Sequence, residues 1–239
     1  MRAYARFITD RAWSRAGAIA AVLAAGVPRR VLAFGTRLAL LVLGSVGIAV
    51  AVALMLWNDF GPGPLDVFIG AIRVRTGLPL SLAVWTTVGL LTAIAWFLGR
   101  RPGPGTVAAP LIIGPVMQAG VALLVHFDRP TGLIAHLVVQ FLAIGIIGLG
   151  AGAVIVSGLG AGTGELLAAA ASDRTGRPEP LVRLAFESAW LVLGIVLGGP
   201  IGLGTVIVTI SIGPAVARGY RWVDAAAAHS RRNLAISGR

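Results

Sequence analysis

Six stretches of this chain are long enough and apolar enough to cross a lipid bilayer: Leu38–Trp57, Ser81–Leu98, Thr106–Val125, Leu133–Val156, Leu181–Gly198 and Thr205–Trp222. A helix crossing the hydrocarbon core needs roughly 17 to 25 such residues at about 1.5 Å each. The first three stretches hold no ionisable residue and the fourth only His136, whereas the last two carry Arg183, Glu187, Arg218 and Arg221. With 57% apolar residues, 12% charged and no cysteine, the chain is no ordinary soluble domain and has neither disulfides nor thiolate metal sites.

Arginine supplies all 20 basic residues. Six spans leave both termini on one side, and an N-terminus inside the cell places seventeen arginines there, with only Arg73, Arg75 and Arg129 outside. Arginine-rich flanks are retained on the cytoplasmic face, so the expected topology is N-in and C-in, multi-pass in a bacterial plasma (inner) membrane. Residues 1–37 imitate a signal peptide, but the apolar run Ala16 to Val27 is short and Pro28, Arg29 and Arg30 end it. The stretch reads as a basic cytoplasmic arm or an interfacial helix on anionic lipid.

The sequence also repeats itself. A shift of 99 residues lays Gly61–Pro115 over Gly160–Pro214 without a gap, and 17 of the 55 positions are identical. The matches fall in the turns: Arg75-Thr76-Gly77 on Arg174-Thr175-Gly176, Gly105-Thr106-Val107 on Gly204-Thr205-Val206, Gly114-Pro115 on Gly213-Pro214. Each copy holds three spans, an odd number, so the second copy enters the membrane in the opposite sense to the first. Inverted halves of this kind recur in secondary transporters, with the substrate site between them.

Polar residues inside the repeat are the site candidates. The segment opened by Gly61-Pro62-Gly63-Pro64 is too short to span, and so is its partner opened by Gly160-Ala161-Gly162-Thr163. Both read as half-helices, and Asp66 and Glu165 coincide in the alignment. A carboxylate there suits a cation or a proton, or else caps the dipole of its short helix. Glu187 is embedded in the fifth span and its repeat partner is Val88. It either faces a cavity and titrates or pairs with Arg183 one turn before it. Gln118, Gln140 and His136 suit interhelical hydrogen bonds as well as substrate contact. Pro115 and Pro214 predict a kink or hinge in the third and sixth spans, and Thr106 and Thr205 offer N-cap hydroxyls after the turns at Gly105 and Gly204.

Catalysis fits poorly. There is no H-E-x-x-H, only three histidines exist, and Ser157-Gly158 lacks a suitably placed histidine for an intramembrane serine protease. No metal or cofactor is expected. The basic termini are accounted for by topology, so nucleic acid is not an expected partner either.

Taken together, Gly63-Pro64-Leu65-Asp66-Val67, Thr76-Gly77, Leu98-Gly99-Arg100-Arg101 and Gly105-Thr106 resemble the YczE/YitT-type family of bacterial six-span membrane proteins. The second half extends the likeness through Arg174-Thr175-Gly176, Leu181-Val182-Arg183, Glu187 and Gly202-Leu203-Gly204-Thr205. The resemblance implies export, or an influence on secondary-metabolite production, with no agreed substrate. Relatives tend to open the second half-helix with Gly-Pro-Arg-acid, whereas this chain has Gly162-Thr163-Gly164-Glu165. An anion held by that arginine in relatives would not be shared here.

The expectation is therefore an all-α integral membrane protein with six transmembrane helices as two inverted three-helix repeats, each with a short half-helix. Its divisions are a basic arm (1–37), a first repeat (38–125), a second repeat (126–222) and a basic tail (223–239). It is read as a secondary transporter or exporter of an unidentified small molecule; the alternative is a scaffold or regulator of a membrane-associated enzyme system. Expected partners are the bilayer, that small molecule and a second copy in a homodimer.

Overall fold

The computed structural model describes residues 32–237, and these form helices throughout, with no strand among the described residues. The order is α1 (Phe34–Asn58), α2 (Pro64–Thr76), α3 (Leu80–Phe97), α4 (Pro104–Leu124), α5 (Leu133–Ser157), α6 (Thr163–Thr175), α7 (Glu179–Val196) and α8 (Leu203–Ser237). Proline in the first turn opens α2 and α4, where its missing N–H costs nothing. The short helices α2 and α6 both stop at a left-handed glycine, Gly77 and Gly176, whose N–H caps a carbonyl of the last turn.

Two boundaries differ from expectation. Helix α1 starts at Phe34, inside the expected arm, and the Arg37 guanidinium donates to the Ser157 and Gly158 carbonyls at 2.8 and 2.9 Å. Those carbonyls end α5 and lack helical donors of their own, so the first turn of α1 is anchored there. Helix α8 runs past residue 222 because the run Asp224-Ala225-Ala226-Ala227 favours helix. The basic arm over 1–31 and the side chains of the tail from residue 228 onward lie outside the described residues.

Among the described residues five helices are long and apolar enough to cross a membrane: α1, α3, α4, α5 and the Leu203–Ala227 part of α8. Helix α7 equals α3 in length, at 18 residues, but carries Glu179, Arg183 and Glu187. Large apolar side chains cover the outside, among them Phe97, Ile134, Val196 and Ile210. A soluble protein would bury such residues, whereas lipid solvates them.

The repeat extends further in the structure than in the sequence. Helices α1, α2 and α3 recur 99 residues later as α5, α6 and α7 with the same lengths of 25, 13 and 18 residues. Contacts are exchanged between the halves. Helix α2 of the first half packs on α7 of the second and α6 of the second on α3 of the first, while inside each half α1 packs on α4 and, equivalently, α5 on α8. Arg75 Nε donates to the Leu197 carbonyl at 2.9 Å, and its equivalent Arg174 to the Leu98 carbonyl at 3.0 Å. The Gly105 N–H reaches the Leu159 carbonyl at 2.9 Å, and the Gly204 N–H reaches that of Phe60 at 2.6 Å. Where α1 and α5 cross, a Cβ on Gly44 would stand 2.5 Å from the Gly150 carbonyl oxygen, so small residues let the two backbones meet.

One pair breaks the repeat. Among the described residues helix α3 packs on α4, but α7 does not pack on α8 to a comparable extent. The first seam is fastened by Trp85 Nε1 donating to the Pro110 carbonyl at 3.0 Å and by Ser81 donating to Gln118 Oε1 at 2.8 Å. In the second seam the equivalent residues are Leu184 and Thr209, and Pro180 and Ala217. A Cβ added to Gly114 would lie 2.8 Å from Trp85 Nε1, whereas one on Gly213 would meet nothing within 4 Å. Gly213→Ala should therefore be neutral or raise the thermal midpoint in detergent, since it removes a helix-interior glycine worth up to about 1 kcal/mol. Gly114→Ala should lower it, by about 1–3 kcal/mol of overpacking less that gain. Equal effects would refute the difference between the seams.

Candidate functional site

A cavity of about 320 Å³ opens where the first turns of α2 and α6 face each other. Gly63 and Asp66 line it from α2, Gly162 and Glu165 from α6, and Gly105 and Thr106 from α4. Helix α8 adds Val208 and Ile212. Backbone geometry sets the two half-helices there: Gly63 and Gly162 are extended N-cap residues, neither with a side-chain cap. Asp66 and Glu165 stand three residues into their helices, near the positive end of each dipole.

Helix α7 makes the two ends of the cavity chemically unlike. Arg183, Phe186, Glu187 and Trp190 all line it, and their spacing of three, four and seven residues marks one helical face. The corresponding wall of α3 contributes Val84 and Val88, which occupy the repeat positions of Arg183 and Glu187. Arg183 Nη1 lies 3.0 Å from Glu165 Oε1, and its Nε lies 3.1 Å from Glu187 Oε1. Glu187 thus faces the cavity and pairs with Arg183 at once. Glu165 does not hydrogen-bond its own helix cap but reaches across to the same guanidinium. Asp66 has no hydrogen bond or ion pair among the described residues.

Aromatic rings complete the α7 wall. Trp190 stacks on Phe186 with centroids 6.1 Å apart and meets Phe68 of α2 at 5.4 Å. Sequence reasoning passed over Phe186 and Trp190, although their helical spacing from Arg183 and Glu187 was there to be read.

The other candidates lie elsewhere. Gln118 fastens α4 to α3 through the Ser81 backbone N–H at 3.0 Å and its hydroxyl. Gln140 is fully buried and donates to the Gly61 and Gly204 carbonyls at 3.0 and 3.3 Å, while accepting from Asn58 Nδ2. His136 bonds Asn58 through Nδ1 at 2.9 Å and stacks on Phe60. Thr106 does not cap its own helix; its hydroxyl donates to the Ala161 carbonyl at 2.7 Å, linking the halves. The Thr205 hydroxyl accepts from the Gly202 N–H at the start of α8. Pro115 and Pro214 sit inside α4 and α8, which continue as helix through both. No group of three His, Cys, Asp or Glu able to hold a metal exists among the described residues.

Comparison with known proteins places the chain in context. A model of a family of unknown function, DUF6198, matches residues 36–220. An uncharacterized membrane protein of Bacillus subtilis, YczE, is 30% identical over 156 residues, covering 64% of this chain and 70% of YczE. An uncharacterized protein of Haemophilus influenzae is 26% identical over 166 residues, covering 68% and 73% respectively. No solved structure matches the chain.

Proposed function

This chain belongs to the DUF6198 family of unknown function and is a membrane protein of the YczE type, and on that premise we propose that it is a secondary transporter or exporter of a small molecule. The observation that carries the reading is the cavity built jointly by the corresponding first turns of α2 and α6, with Asp66, Glu165, Arg183 and Glu187 on its wall. A site between repeated halves, lined by discontinuous helix ends, is where secondary transporters hold their cargo.

On this reading α7 crosses the membrane as a sixth span, its charges turned to the cavity rather than to lipid, as intramembrane ionisable groups require. The halves are inverted, and both termini lie inside the cell at the plasma membrane. The exchanged contacts and the arginine distribution support that arrangement. Because the chain has no cysteine, single cysteines at Arg101 and Thr131 report topology cleanly. They should label from opposite faces; labelling from one face would overturn it.

Transport is tested with purified protein in liposomes, challenged with a metabolite panel under an imposed pH gradient. Gradient-driven uptake of at least one solute is expected, and its absence for all would remove the reading. Glu187→Gln should still insert and exchange solute but lose acceleration by the gradient, because a permanently neutral group cannot exchange a proton. Unchanged acceleration would dismiss Glu187 as the coupling group.

A further inference from the structure

We infer that the cavity takes an organic cation with an apolar body, a protonated amine or a quaternary ammonium seated on Asp66. This deepens the transport reading and rests on it for calling the guest a cargo.

Three carboxylates, those of Asp66, Glu165 and Glu187, face the cavity with one guanidinium. Arg183 is held between Glu165 and Glu187, so an incoming anion finds no free positive partner and meets surplus negative charge. Asp66, without an ion pair among the described residues, offers the one carboxylate that a guest's positive charge would complement. An ionised group at membrane depth is costly unless something compensates it.

The remaining wall decides what kind of cation. Val52, Val88, Leu91 and Ile113 line the space, together with the rings of Phe186 and Trp190. A bare inorganic ion would need several oxygen ligands. The nearby hydroxyls are engaged: that of Thr106 with the Ala161 carbonyl and that of Thr163 with Thr92. Apolar contact and aromatic faces suit an alkyl or aryl ammonium instead. The looser α7–α8 seam adds to this. Leu184 is 53% exposed where its equivalent Trp85 bonds across the first seam, so the helix bearing Phe186 and Trp190 is less firmly fastened to α8 than α3 is to α4, on a side that lipid can reach.

The test uses the full chain in lipid nanodiscs and equilibrium dialysis of radiolabelled tetraphenylphosphonium and the smaller benzyltrimethylammonium, with protein-free nanodiscs subtracted. At least one cation should bind saturably, and tetraphenylborate, of like shape and opposite charge, should not displace it. Asp66→Asn should weaken binding roughly tenfold or more, the cost of deleting one partner of a desolvated charge pair. Asp66→Glu should retain it. Failure of both cations to bind saturably, equal saturable binding of tetraphenylborate, or unweakened binding by Asp66→Asn would overturn the inference. If Asp66→Asn does not fold, the cation–anion comparison on the parent chain still decides. Cation binding without movement across liposomes would keep the ligand class and remove transport; movement of another solute while neither cation binds would do the reverse.

Discussion

Arg183→Met is expected to destabilise the protein more than any other single change at the cavity. It removes the only cation between Glu165 and Glu187, whose side chains are 21% and 23% exposed, and leaves two carboxylates facing each other across an apolar space. Deleting one member of a buried ion pair costs about 3–5 kcal/mol. Arg183 is itself 37% exposed, so the low end of that range applies. The triple change Glu165→Gln, Arg183→Met, Glu187→Gln removes the orphaned charges with their partner and should recover most of the loss. Thermal midpoints in one detergent, with monodispersity by size exclusion, give both numbers. A single variant as stable as the parent, or a triple variant no better than the single, would show that Arg183 is not held by this pair of carboxylates.

How much of this was legible beforehand follows from which interactions are local. The apolar runs marked six of the helices, and the glycine and proline turns marked α2 and α6 as short, because both signals depend on neighbouring residues alone. Pairing of Arg183 with Glu187 is an i,i+4 relation and could be read directly. Pairing with Glu165, 18 residues away, needs α6 packed on α7 and could not. Gln140 shows the same limit: a glutamine in an apolar span must find partners, but the carbonyls of Gly61 and Gly204 are 79 and 64 residues distant. The unequal seams were visible only in part. Trp85 and Gln118 against Leu184 and Ala217 is a sequence difference, but its meaning depends on knowing that Pro110 and Ser81 lie opposite.

Gly219→Leu should prevent stable folding altogether, the second large effect expected of this chain. Within the second half α5 crosses α8, and there the backbones of Gly148 and Gly219 touch directly. A Cβ on Gly152 would lie 2.5 Å from the Gly219 carbonyl carbon, and one on Gly148 would lie 2.6 Å from the Ala215 carbonyl oxygen. Every atom in the way is backbone, which cannot rotate aside as a side chain can. Membrane helices associate through such close approach rather than through exclusion of water, so separating them forfeits the packing that holds the pair. The cost should reach or exceed the roughly 3 kcal/mol at the top of the usual overpacking range, far above the gain of about 1 kcal/mol from removing a helical glycine. Gly213→Ala in the same helix is the control, because it brings that propensity gain without the collision. Purified yield and thermal midpoint should fall for Gly219→Leu and hold for Gly213→Ala. If both variants behave like the parent, α5 and α8 do not meet at these glycines, and the packing described for the second half is wrong.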